Sequence, residues 1–125
     1  MSPSVARLLL VVWTVVLVGA MLTPSHRIPS DVLFSYDKLL HLGAFTMWAM
    51  LAARAWKPLG RRQVMQIFGV ALLLTVATEL AQETITVLRR SGEVGDAVAD
   101  LLGVSLGLGL SHWWERGRAR KEEAR

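Results

Sequence analysis

The chain has 125 residues, 53% of them hydrophobic and 19% charged, with a mean hydropathy of +0.41. A soluble domain carries about 25% charged residues; here the 14 basic and 10 acidic side chains are also bunched, so residues 8–25 and 63–78 contain no ionisable group. This excludes a soluble enzyme domain, a disordered chain and, with no cysteine, a disulfide scaffold. The sequence pI of about 10.3 would suit nucleic acid, but the basic residues flank apolar segments, which points to a membrane instead.

A bilayer-spanning helix takes roughly 17–25 mostly apolar residues, and the sequence has room for about four. The first span covers residues 5–23 and is continuously apolar. A cleaved signal peptide with Val18-Gly19-Ala20 as cleavage site is the alternative, but the run is long for a hydrophobic region of ~7–15 residues. Pro24 and Pro29 break the chain before a second span at residues 35–56, which opens on Asp37-Lys38 and closes near Arg54 and Lys57. A third span covers residues 62–86. The fourth covers 94–114 and ends on Trp113-Trp114, where an interfacial aromatic belt belongs. The spacing predicts an all-α, integral membrane four-helix transmembrane bundle at residues 1–114, followed by a charged, solvated and frayed tail at 115–125.

Lys and Arg divide unevenly between the two sides. Arg7, Arg54, Lys57, Arg61, Arg62 and five residues of the tail make 10 on one side. Arg27, Lys38, Arg89 and Arg90 make 4 on the other. The positive-inside rule then places both termini in the cytoplasm. Acidic residues show the opposite bias, with Asp31, Asp37, Glu79, Glu83, Glu93, Asp96 and Asp100 all on the outer side. They contribute little to topology and need another explanation.

That explanation lies in helical periodicity. Asp37, His41, Phe45 and Trp48 share one face of the second span, and Thr75, Glu79, Gln82 and Thr86 share one face of the third. Asp96, Asp100, Gly103 and Gly107 share one face of the fourth. Because the second and fourth spans descend while the third ascends, His41, Glu79 and Asp100 are predicted to meet at one depth. Asp37, Lys38, Gln82, Arg90 and Asp96 form a layer above them. Charges inside a bilayer cost ~2.5–3.5 kcal/mol each on insertion scales, so they face the interior and pair. The bland alternative is a ring of helix-end charges reaching the headgroups. Gly103, Gly107 and the offset pair Ser105/Gly109 form small-xxx-small patterns, read either as packing within the bundle or as a homo-oligomer contact through the Gly103/Gly107 face.

The order Asp37-Lys38-x-x-His41-x-x-x-Phe45, Glu79-x-x-Gln82, Arg90 and Asp96-x-x-x-Asp100-x-x-Gly103 resembles the VanZ-like membrane proteins. Their pattern is D-K-x-x-H with an aromatic four residues on, E-x-x-Q, an arginine and D-x-x-x-N-x-x-G. The match covers roughly residues 37–103, and one departure stands out: Asp100 occupies the position where the family usually has asparagine. The resemblance implies a bacterial-type plasma (inner) membrane, multi-pass location and, for the family's namesake, an association with teicoplanin-type glycopeptide resistance; it implies no known reaction.

Two functions of different class fit these residues. In the first, the chain acts on a lipid headgroup or a lipid-linked cell-envelope intermediate. His41, Glu79, Asp37, Asp96 and Asp100 are then the catalytic acids and bases, and Lys38, Gln82 and Arg90 hold the substrate. In the second, the polar cluster is a non-catalytic membrane binder or scaffold in envelope maintenance. Metal binding by His41, Glu79 and a neighbouring aspartate is a weaker reading, because one histidine and scattered acids make a small ligand set. The expectation is no cofactor and no nucleic acid, with membrane lipids as partners. A transporter is disfavoured, since four spans offer little alternating-access machinery.

Overall fold

The computed structural model describes residues 1–24, 36–88 and 93–124. Four long helices account for nearly all of them: α1 (Pro3–Met21), α2 (Asp37–Ala55), α3 (Arg61–Thr84) and α4 (Val94–Glu123), with one turn of 3-10 helix at Thr86–Leu88. Local chemistry fixes the ends. Ser2 caps α1 by accepting the Val5 N–H, and Pro3 sits in the first turn, where its missing donor costs nothing. The Gln63 side chain reaches back to the Gly60 N–H at the start of α3. At the other end of α2, the Arg7 guanidinium donates to the Ala55 carbonyl, satisfying one of the acceptors a helix C-terminus leaves open.

The helices bury their small and aromatic faces against one another. Ala6, Leu10, Phe45, Trp48, Ala49, Ala52, Ile67, Ala71 and Val104 belong to one continuous core. Two indole N–H groups stitch α1 to α2: Trp13 donates to the Ala44 carbonyl at 3.0 Å, and Trp48 donates to Thr14 Oγ1 at 2.9 Å. Such pairing is what a buried tryptophan requires. The outward faces are apolar instead of charged. Leu8, Val11, Val15, Leu73, Leu80 and Leu102 are all exposed, and on three helices together they form the kind of surface that a bilayer solvates.

α2 packs most extensively on α4 and then on α1. Glycine makes the α2–α4 approach close. A Cβ placed on Gly103 would run into the Leu42 carbonyl oxygen, and one on Gly107 into the Thr46 carbonyl oxygen. The Gly103/Gly107 face therefore packs against α2 of the same chain. Gly109, on the opposite side, meets nothing.

Two expectations need correction. Among the described residues, three helices rather than four are long and apolar enough to cross a membrane: Pro3–Met21, Arg61–Thr84 and Val94–Glu123. α2 falls short because Asp37, Lys38, His41 and Arg54 lower its apolarity. Its position explains the composition, since α2 buries His41, Phe45, Trp48 and four alanines against its neighbours and has less surface to offer to lipid. The tail, expected to be frayed, instead continues α4 without a break as far as Glu123. Its Arg, Lys, Glu and Ala residues are strong helix formers. Lys57 pairs with Glu115, and the Arg118 guanidinium lies 5.5 Å from the centre of the Trp114 ring.

Candidate polar site at the helix ends

Three helices bring their polar stripes to one place. The first turns of α2 carry Asp37, Lys38 and His41, the last turns of α3 carry Thr75, Glu79 and Gln82, and the first turns of α4 carry Asp96 and Asp100. The predicted convergence is found: ligand atoms of His41, Glu79 and Asp100 all lie within 4.8 Å of one another, as do those of Asp37, His41 and Asp96. His41 belongs to both groups and so sits at the centre.

Asp100 is fully buried, and both its oxygens are engaged. Oδ1 lies 2.8 Å from His41 Nδ1, and Oδ2 accepts the Thr75 hydroxyl at 2.9 Å. A carboxylate on Nδ1 fixes the orientation of the imidazole and its tautomer, the same device that orients catalytic and metal-ligating histidines. This is an arrangement in which His41 can move a proton.

Glu79 is held differently. Its Oε2 accepts the backbone N–H of Glu93 at 2.8 Å, the residue that caps the start of α4. Its Oε1 is buried and has no hydrogen-bond partner among the described residues. Gln82 donates Nε2 to the Met21 carbonyl at 2.9 Å, closing an acceptor that the end of α1 leaves open. Gln82 thus ties α3 to α1.

Lys38 spans the rim of the cluster. Its ammonium lies 2.8 Å from Glu93 Oε2 and 3.3 Å from the nearly buried Asp96. That hydrogen bond and charge hold the Glu93 carboxyl below the usual carboxylate range. Asp96 sits in the first turn of α4, where the helix dipole favours a negative charge. Arg90, expected to hold substrate, lies outside the described residues. Thr86, expected on the polar face of the third span, falls beyond α3 in the 3-10 turn and is exposed.

Periodicity did not reveal Glu93, whose backbone N–H meets Glu79 and whose carboxylate meets Lys38. Its signal was positional, as the polar residue just before an apolar helix. Thr75 was legible only as a member of a stripe, not as the second donor to Asp100. No family model, curated protein sequence or solved structure matches the chain.

Proposed function

We propose that the chain is a VanZ-like protein of a bacterial-type plasma membrane, in which the less apolar α2 crosses the bilayer shielded by the three membrane-length helices, and that it acts on a phosphate-bearing lipid headgroup or lipid-linked envelope intermediate at the outer leaflet. The resemblance in motif order supports the family, and three membrane-length helices support the location. With both termini cytoplasmic, as the basic residues direct, the His41 cluster lies at the outer leaflet.

The observation that carries the reading is the buried His41–Asp100–Thr75 chain of hydrogen bonds, with Glu79 beside it and the Lys38 cation at its rim. Histidine is the side chain whose ordinary pKa lies nearest neutrality, so it both takes and returns a proton at working pH. His41 serves as the proton-transfer group toward a hydroxyl or water at the headgroup. Lys38 supplies a point charge for the phosphate. Neither serine nor cysteine stands beside His41 in these hydrogen bonds, so no separate nucleophile is assigned.

A non-catalytic binder or scaffold is the second reading. The Gln82–Met21 and Glu79–Glu93 bonds favour it, because both use polar side chains to join helices. The test is to incubate purified protein with undecaprenyl phosphate or phospholipid vesicles and follow products by mass spectrometry. Turnover that disappears in a folded His41→Gln variant supports the enzyme, since glutamine keeps hydrogen bonding but does not shuttle a proton. Binding without turnover, unchanged by the same substitution, leaves the scaffold.

A further inference from the structure

We infer that His41, Glu79 and Asp100 form a binding site for one divalent transition-metal ion. Their ligand atoms come from three different helices and lie within 4.8 Å of one another. Each carboxylate has one oxygen held by a donor outside the trio. Asp100 Oδ2 accepts from Thr75 and Glu79 Oε2 from the Glu93 N–H; of the other two oxygens, Asp100 Oδ1 lies 2.8 Å from His41 Nδ1, and Glu79 Oε1 is buried without a partner among the described residues. Donors behind the ligands are the usual support of a metal site, because they orient the oxygen that binds.

Charge points the same way. Two carboxylates brought together in a poorly solvated cluster require compensation, and a buried carboxylate oxygen with no donor is costly. A divalent cation neutralises both. The neighbouring group of Asp37, His41 and Asp96 lacks this need, because the Lys38 ammonium already lies against Asp96. The geometry asks for small movements only. Bonds of about 2.0–2.1 Å to nitrogen and oxygen in a tetrahedron separate the ligand atoms by about 3.3 Å. The 2.8 Å contact between His41 and Asp100 opens slightly, and the Glu79 side chain closes in.

One nitrogen and two carboxylate oxygens suit zinc or manganese better than magnesium, which keeps its water and rarely takes imidazole. Three protein ligands leave a further coordination position for water or a phosphate oxygen. The site shares His41 with the headgroup reading, in which the free imidazole transfers the proton; metal content is measured with no lipid present, so the two readings fail separately.

The experiment uses the full chain, purified in detergent without a polyhistidine tag, stripped with chelator and offered ZnCl2, MnCl2 or MgCl2 before gel filtration and elemental analysis. The expected result is about one zinc or manganese per chain and no retained magnesium. Glu79→Gln and His41→Gln should each weaken binding at least tenfold, in line with losses seen when a metal site is perturbed. His112→Gln should leave it unchanged, because His112 is exposed far along α4. A wild-type chain that retains no metal, or variants that bind as well as wild type, overturns the site. Should both site variants fail to fold, cobalt substitution of the wild type decides: a visible band of four- or five-coordinate cobalt supports the site, and its absence refutes it. Loss of headgroup turnover with metal retention intact would count against the enzymatic reading alone.

Discussion

His41 and Asp100 stand 59 positions apart in sequence and meet at 2.8 Å in the interior of the helix bundle. The contact joins α2 to α4, and Thr75 extends it to α3, so a single aspartate organises three helices. Replacing Asp100 by alanine strands both partners. Loss of one member of a buried charged pair costs about 3–5 kcal/mol, so Asp100→Ala should unfold far more readily than wild type in detergent. Asp100→Asn keeps an acceptor for Thr75 and should lose no more than about 1–3 kcal/mol. Equal losses in thermal unfolding would show that hydrogen bonding here is not what holds the helices.

Glycine substitutions test the α2–α4 contact. Gly103→Ala and Gly107→Ala add a methyl group where the Leu42 and Thr46 carbonyls lie, so each should lower the unfolding temperature markedly. Gly109→Ala meets open space and should be neutral or stabilising by up to about 1 kcal/mol through helix propensity. Thermal scans of the three variants in one detergent separate the cases. A destabilised Gly109→Ala would contradict the packing described above.

Acid should weaken the Lys38–Glu93 pair at the rim. The Lys38 hydrogen bond depresses the Glu93 carboxyl, so its contribution to folding is present above the ordinary carboxylate value of 4.5 and fades as pH falls through the lower, folded value. The pair is exposed and the effect small. Lys38→Gln should flatten the dependence of unfolding temperature on pH below that value. An unchanged slope would show that Lys38 does not hold Glu93 in solution.

Reporter fusions test the membrane orientation. Fusions after Lys57 and within the tail should read as cytoplasmic, and a fusion within residues 27–35 as external. An external reading from the tail would place the His41 cluster on the other leaflet and end the proposed role there.

Much of this arrangement was legible from spacing. The repeat of Asp37, His41, Phe45 and Trp48 predicted one face of α2, of which the last three are buried. The stripe from Asp96 to Gly107 predicted the face that α4 turns to its neighbours, and all four of its members are buried. Their meeting with Glu79 followed from helix direction and rise alone. What escaped was set by contacts between distant segments. Thr14 and Trp48 form a pair only once α1 lies on α2. Glu93 takes part through a backbone N–H, which side-chain identity does not announce. The inner place of α2 could not be told from composition, because a span facing lipid and one facing other helices differ by what surrounds them. In the tail, charge pattern suggested solvent exposure, which is found, but exposure does not prevent helix.

The modest apolarity of α2 has a consequence for how the protein is made. A helix carrying Asp37, Lys38, His41 and Arg54 enters a bilayer less readily alone than its more apolar neighbours, because charged and polar side chains shorten its apolar stretch. Its partners come from both sides in the sequence: Arg7, Trp13 and Thr14 precede it, while Glu93, Asp96 and Asp100, which pair with Lys38 and His41, and the two close-packed glycines come last. If α2 crosses the bilayer as proposed, it should wait at the membrane surface or in the insertion machinery until α4 has been synthesised. A chain stopped before Val94 should leave α2 accessible to water-soluble reagents, and extension through Ser111 should protect it. The polar site and the order of biogenesis would then depend on the same few contacts.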